Sequence, residues 1–260
     1  NLLLCLTTSG STGSPKLVRL SKENLKSNAE SIAEYLHIDE NERPVTTLPM
    51  YYSFGMSVIN SHLIKGATIL LTDKAVLQRE FWNFTKEHRA TSIAGVPYTY
   101  EMLKRLRFFR MDLPDLKTMI QAGGKLNAVF VKEYVDFAEA NAKQFIVMYG
   151  QTEAAPRMSY LPHDKAVEKN ASIGIAIPGG EFSIIDADGN EITTPDVDGE
   201  LVYKGANVCL GYAEKREDLQ LGDDNQGVLH TGDIARVDAD GFYYITGRMK
   251  RFVKVWGNRC

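Results

Sequence analysis

The sequence predicts an α/β fold, a layered α/β sandwich of partly parallel sheet flanked by helices, followed by a small antiparallel β-barrel subdomain. Three observations carry this expectation. Over the first two thirds of the chain, short apolar runs alternate with segments whose apolar residues recur at helical spacing. After residue 172 the helical periodicity fades, and thirteen of the 21 glycines fall there. Short alternating runs take its place, the texture of antiparallel strands.

In order along the chain, residues 2–6 (Leu-Leu-Leu-Cys-Leu) form an apolar run that reads as a buried strand. Ser21 can cap a helix over 22–36, where Leu25, Ala29, Ile32, Ala33 and Leu36 make one stripe. Residues 67–71 read as a strand, 78–88 as a helix, and 92–96 as a strand ended by Pro97. Helices are expected over 98–107 and 127–142, then a strand over 145–149. The tail gives strands at 181–185, 200–203, 234–237 and 242–245. Asp-Ala-Asp-Gly occurs at 186–189 and again at 238–241, between β-branched or aromatic residues, which is hairpin-turn chemistry. A calcium loop would need a D-x-D-x-D-G spacing that neither copy has. The expected parts are therefore 1–171 (α/β), 172–247 (antiparallel) and a short terminal segment, 248–260.

Composition bounds the function. With 260 residues the chain can bury a substantial core without staples. Thirty basic against 33 acidic residues leave a net charge of −3, so no basic excess points to nucleic acid. No apolar run approaches the roughly 18 residues of a membrane span. Cys5, Cys209 and Cys260 are far apart and show no metal-ligand spacing, which fits a reducing compartment. With no targeting segment visible, a cytoplasmic location is expected. The chain starts at Asn1 within one strand-like run and stops at Cys260 just after another, so both ends read as cuts in a longer protein.

The strongest chemical signal is residues 7–16, Thr-Thr-Ser-Gly-Ser-Thr-Gly-Ser-Pro-Lys, with six hydroxyls, two glycines and a terminal lysine. Gly10 and Gly13 let backbone N–H groups converge, the hydroxyls add donors, and Lys16 adds positive charge, which suits phosphate. A Walker loop has its lysine directly after the second glycine and a helix beyond it. Here Pro15 intervenes and Leu-Val-Arg-Leu reads as a strand, which excludes a P-loop kinase or GTPase. A flexible linker is the plainer reading of Ser and Gly, but linkers seldom sit between two apolar strands.

These residues resemble the signature loop of the adenylate-forming superfamily, which includes acyl-CoA synthetases, luciferases and adenylation domains. Further segments match in the same order. Pro49 to Gly55 (Pro-Met-Tyr-Tyr-Ser-Phe-Gly) resembles the acyl-site segment, and Ala122-Gly123-Gly124 the adenine wall. Tyr149-Gly150-Gln151-Thr152-Glu153 resembles the YGxTE motif, and 199–212 resembles the motif of the barrel. Thr231-Gly232-Asp233 with Gly247-Arg248 resembles the ribose pair, and Lys250 falls at the hinge position with Gly257 in the segment after it.

The resemblance implies a two-step reaction. A carboxylic acid attacks the α-phosphorus of ATP, and a thiol of CoA, or of phosphopantetheine on an acyl-carrier protein, then takes the acyl group. By the same resemblance Thr8, Ser9, Gly10, Ser11, Thr12, Gly13 and Lys16 hold phosphates, Thr152 the α-phosphate and Glu153 a Mg²⁺ ion. Gly123, Gly124, Tyr149 and Gly150 border adenine, Asp233 and Arg248 bind ribose, and Lys250 is the hinge of a small C-terminal domain. Tyr51, Tyr52, Phe54, Val96, Pro97, Tyr98, Tyr100 and Met148 are candidate acyl walls, although each also reads as ordinary core. Tyr52 replaces a histidine common in acyl- and aryl-CoA ligases, and Lys125-Leu126 replaces the usual Ala-Pro. His230 reads as a packing residue. No aspartate stands out for an amino acid's ammonium, which favours a plain carboxylic acid. A non-catalytic relative is the rival reading, and the intact Lys16, Glu153, Asp233 and Arg248 speak against it.

Overall fold

The structure is a computed structural model that describes residues 2–7 and 16–249, and the backbone of 254–255 and 258–259. The chain opens with β1 (Leu2–Thr7) and β2 (Leu17–Ser21), which pair antiparallel with Thr7 opposite Leu17. Strands thus flank the loop on both sides, in place of the helix that a Walker loop would require. Helix α1 (Lys22–Tyr35) begins as its sequence directs. The Ser21 hydroxyl accepts the Asn24 N–H at 3.1 Å, and the Asn24 side-chain oxygen accepts the Ser21 N–H at 2.9 Å, a reciprocal cap.

There follow β3 (Pro44–Val45), α2 (Ser53–Leu63), α3 (Arg79–Glu87), β4 (Ser92–Gly95), α4 (Pro97–Arg105), β5 (Thr118–Gln121), α5 (Ala128–Ala140), β6 (Gln144–Gly150), β7 (Arg157–Leu161) and β8 (Ile175–Ala176). These six strands form one sheet in the order β3-β4-β5-β6-β7-β8, parallel from β3 to β6 and antiparallel thereafter. Alternation along the strands divides the core in two. Met119 and Phe145 face α3, α4 and α5 through Phe81, Tyr100, Leu103, Tyr134 and Val135. Their neighbours Ile120, Ile146 and Met148 face α1 and α2 through Ile32, Tyr35, Phe54 and Val58. The expected helix-flanked, partly parallel sheet is present.

One expectation changes, and one helix was not expected. Residues 67–71 make no strand; Leu70 forms a single parallel bridge to Val45. Helix α2 was not legible because serines interrupt its apolar stripe. Ser53, Ser57 and Ser61 are buried, and the last two satisfy their hydroxyls on the carbonyls of Phe54 (2.7 Å) and Val58 (3.1 Å).

The last third holds β9 (Gly180–Ile185), β10 (Gly199–Gly205), β11 (Gly211–Ala213), β12 (Val228–Val237) and β13 (Tyr243–Arg248), then the two-residue strands β14 (Lys254–Val255) and β15 (Asn258–Arg259). β13-β12-β10-β9 make a four-stranded antiparallel sheet, whereas β11 joins β2 in a three-stranded sheet with β1. Both Asp-Ala-Asp-Gly segments are turns. Asp186 accepts the N–H of Asp188 and Asn190, Asp238 accepts those of Asp240 and Phe242, and Gly189 and Gly241 take φ of 86° and 84°. Segments on either side of residue 172 share a core, since Tyr203, Val208 and Leu229 pack with α1 and α2.

Arg19 fastens these parts together. Its fully buried guanidinium donates to the carbonyls of Tyr212 (3.1 Å), Leu221 (2.7 Å), Gly222 (3.1 Å) and Leu210 (3.1 Å) and to Asp224 Oδ2 (2.6 Å). Strand β2 is thereby fixed against 210–224, which positions Lys16 immediately before it.

Candidate active site

Strand β6 ends at Gly150, at the C-terminal edge of the parallel strands, where open α/β sheets carry ligands. The chain then doubles back into β7. A Cβ on Gly150 would lie 1.9 Å from the Pro156 carbonyl oxygen, so only glycine permits this reversal. The reversal presents Tyr149, Gln151, Thr152 and Glu153 around one edge.

At one end of the site stands Asp233. It lies on β12 directly opposite Arg248 on β13. Its Oδ2 accepts the Tyr149 hydroxyl at 2.6 Å and Gln151 Nε2 at 3.0 Å, while Oδ1 faces Arg248 Nε at 3.6 Å. Gln151 Nε2 also donates to the Thr231 carbonyl at 3.0 Å. Burial, and then the charge of Asp233, raise the Tyr149 pKa, so the phenol stays protonated and donates. The result is a nearly buried carboxylate, held by two donors on one oxygen and open to further donors on the other. Such an acceptor suits ligand hydroxyls.

At the other end are Glu153, Lys16 and Thr152. The Tyr212 hydroxyl donates to Glu153 Oε1 at 2.7 Å, and Cys209 N–H holds the Glu153 carbonyl at 2.8 Å. Lys16 Nζ pairs with Glu214 Oε1 at 2.6 Å and lies 5.9 Å from the Tyr212 ring centre. This grouping follows from β2 pairing with β11, which sets Val18 opposite Tyr212. Thr152 Oγ1 meets Ser53 Oγ, at the start of α2, at 3.2 Å. A carboxylate, a cation and two hydroxyls together suit a polyanion with a hard cation on it. Thr8, Ser9, Gly10, Ser11, Thr12, Gly13, Lys250 and Gly257 lie outside the described residues.

Between the ends, Gly123 takes φ of +78°, and a Cβ there would lie 2.7 Å from the Tyr52 hydroxyl and 3.0 Å from Val96 Cγ1. Tyr52 and Val96 are thus brought to the glycine segment, and Gly124 sits against Pro97 in the same way. Burial raises the Tyr52 pKa, so this residue is a neutral hydroxyl where a titratable histidine was the alternative. Phe54 and Met148 are buried in the same cluster. Tyr51 (83% exposed) and Tyr98 (63%) do not join them. Tyr100 belongs to the opposite face of the sheet, where its hydroxyl donates to the Ile120 carbonyl at 2.7 Å.

His230 corrects a reading from the sequence. It is exposed, not packed, and its Nδ1 faces Glu200 Oε2 at 3.3 Å. Burial pushes the Cys209 thiol up to about 11, leaving it a poor nucleophile. Sequence reasoning missed Gln151, Ser53 and Tyr212. Gln151 stands at the variable place of its motif, and the other two needed the pairing of distant strands. A groove of about 430 Å³ lined by Glu34, Tyr35, Gln144, Ile146, Tyr160 and His163 lies toward the opposite end of β6.

Comparison with known proteins places the chain in a family. A family model described as AMP-binding enzyme matches residues 1–213. The chain is 29% identical over 257 residues to a feruloyl-CoA synthase of Amycolatopsis, covering 97% of this chain and 50% of that protein. It is 33% identical over 244 residues to a 2-succinylbenzoate–CoA ligase of Bacillus pumilus, covering 93% and 48%. It is 33% identical over 260 residues to a long-chain-fatty-acid–CoA ligase of Salmonella typhimurium, covering 96% and 44%. Among solved structures, it superposes on O-succinylbenzoate coenzyme A synthetase from Bacillus subtilis in complex with AMP at a TM-score of 0.80 with 27% identity, covering 94% of this chain and 49% of that one. The same enzyme with ATP and a magnesium ion gives 0.81 with 26% identity, covering 98% and 52%. The chain spans about half the length of the curated relatives it matches.

Proposed function

This chain belongs to the AMP-binding enzyme family, and on that premise we propose that the full-length protein is an ATP-dependent acyl-CoA ligase that proceeds through an acyl-adenylate. The observation that carries the reading is the two-ended site, with Asp233 held by Tyr149 and Gln151 at one end and Lys16 with Glu153 at the other.

In this reading Asp233 accepts hydrogen bonds from the ribose hydroxyls, and Arg248 donates beside it. The Tyr149 ring and the Gly123-Gly124 segment border adenine, with Gly150 beside them. Lys16, with Thr8, Ser9, Gly10, Ser11, Thr12 and Gly13, holds the β- and γ-phosphates. Lys16 and Glu214 are each about half exposed, so their pair is worth at most about 1 kcal/mol and exchanges readily for phosphate. Thr152 contacts the α-phosphate. Glu153 has the hard oxygen donors that Mg²⁺ prefers, and Tyr212 orients that carboxylate. The bound ion supplies neutralisation of phosphate charge. Attack of the substrate carboxylate oxygen on the α-phosphorus expels pyrophosphate. The thiolate of CoA then attacks the acyl carbon and AMP leaves. Both steps need positioning and charge neutralisation above all.

The acid lies along Tyr52, Val96, Phe54 and Met148. Residues 1–171 supply the α/β part, 172–247 a barrel-like subdomain, and Lys250 the hinge. The names of the curated relatives favour CoA as acceptor, with a carrier-protein thiol as the alternative. The test is acid-dependent pyrophosphate release by the full-length protein with ATP, Mg²⁺ and a panel of fatty, aryl and amino acids, with and without CoA. Release that depends on one acid class, with acyl-CoA formed, is expected. Release without acyl-CoA would move the acceptor to a carrier protein, and no release with any acid would overturn the reading.

A further inference from the structure

Arg157 is a buried cation with no anionic partner among the described residues. It is 2% exposed, at the start of β7, four residues after Glu153. Its main chain is clamped from two sides. Asn28 Nδ2 and Asn207 Nδ2 both donate to the Arg157 carbonyl, at 2.8 and 3.0 Å. Its side chain meets only neutral groups. Nε donates to Ser57 Oγ at 3.2 Å, and Nη1 donates to Tyr35 Oη at 3.2 Å and Met148 Sδ at 3.0 Å. The guanidinium carbon lies 5.1 Å from the Phe54 ring centre. Nη2 is buried and has no hydrogen-bond partner.

Buried charges are ordinarily paired, and buried N–H groups are ordinarily bonded. Arg157 breaks both rules at once, and it does so against Phe54 and Met148, the two buried members of the acyl wall. Helix α2 connects it to the reacting end of the site. Ser53 touches Thr152, whereas Phe54 and Ser57 touch the guanidinium. Ser53 and Ser57 are one turn apart, about 6 Å along the helix axis. That turn therefore separates Thr152 from a fixed, unsatisfied guanidinium by a span of only a few carbon atoms.

We propose that Arg157 is a specificity-determining residue that receives a second carboxylate, so that the preferred substrate is a dicarboxylic acid with a short spacer. This rests on the ligase reading above. One carboxyl is activated at the α-phosphorus, and the other stays ionised against Nη2, with the Tyr35 and Ser57 hydroxyls beside it. A guanidinium is well matched to a carboxylate because its N–H groups form a planar fork.

The test compares matched acids in pyrophosphate release by the full-length protein: glutarate against pentanoate, adipate against hexanoate, and phthalate against benzoate. A kcat/KM at least tenfold higher for one diacid than for its monoacid is expected, carried mainly by KM. Replacement R157M should abolish that preference, while R157K should keep part of it. The wild-type comparison stands even if R157M does not fold. Monoacids used as well as, or better than, every matched diacid would overturn the proposal while leaving the ligase reading intact. No release with any acid would overturn both.

Discussion

Removing the Tyr149 hydroxyl probes the ribose end directly. Tyr149→Phe keeps the aromatic face and deletes the donor to Asp233, together with the acceptor that Gln151 Nε2 meets at 3.2 Å. Among the described residues the carboxylate meets Tyr149 Oη at 2.6 Å, Gln151 Nε2 at 3.0 Å and Arg248 Nε at 3.6 Å. The Arg248 side chain is 71% exposed, so its pair contributes at most about 1 kcal/mol. A hydrogen bond to a charged acceptor is worth about 1.5–3 kcal/mol. Gln151 remains on the same oxygen and recovers part of this, so a loss near 1.4 kcal/mol, or about tenfold in AMP affinity, is expected. The assay is calorimetric titration of the full-length protein with AMP, run as a double-mutant cycle with Asp233→Asn. In the Asp233→Asn background the phenol deletion should cost under about 0.5 kcal/mol, because the charge it served is gone. Unchanged affinity in Tyr149→Phe, or losses that simply add, would refute the claim that Tyr149 acts through Asp233.

Three other outcomes are expected. Lys16→Ala should leave folding stability within about 0.5 kcal/mol, since its pair with Glu214 is solvated, yet weaken ATP binding more than AMP binding; equal losses by calorimetry would contradict its placement at the phosphates. Arg19→Met should destabilise the chain by about 3 kcal/mol, because the fully buried guanidinium that ties β2 to four carbonyls is lost; urea denaturation measures this, and a change below about 1 kcal/mol would contradict it. His62 is held neutral, its pKa lowered from 6.5 to about 4, chiefly by burial. The unfolded chain binds the proton first, so stability should fall as pH drops from about 6.5 to about 4 and level off below, by roughly 3 kcal/mol in all. Denaturation at several pH values should show this limb reduced in His62→Gln; an identical limb would assign it elsewhere.

How much of this was legible in the sequence depended on whether the signal was local. Ser21 and its stripe gave α1 because a cap and a helical repeat act within a few residues. The Asp-Ala-Asp-Gly turns were legible for the same reason. Helix α2 was hidden because its buried serines satisfy themselves on their own backbone, which no hydropathy pattern records. The stretch 67–71 is apolar enough for a strand, but Ala67 and Leu70 are buried beside a two-residue edge strand that offers Leu70 a single bridge. The site divides similarly. Asp233 and Arg248 were found through their motifs, and the strand register then put them face to face. Tyr212 and Ser53 came from segments far from Glu153 and Thr152, so only the assembled sheets could reveal them. Arg157 was invisible as an unpaired charge, because its lack of an anionic partner among the described residues is a property of the packed core.

In the proposed reaction a carboxylate oxygen attacks the α-phosphorus of ATP at this site. The most direct measurement supplies an accepted acid labelled with ¹⁸O in its carboxyl group, together with ATP, Mg²⁺ and CoA, and follows the label by mass spectrometry. Attack at the α-phosphorus followed by thiol transfer leaves one labelled oxygen in AMP and none in pyrophosphate. Label appearing in inorganic phosphate, with ADP as the nucleotide product, would contradict the account, because it would mean attack at the γ-phosphorus.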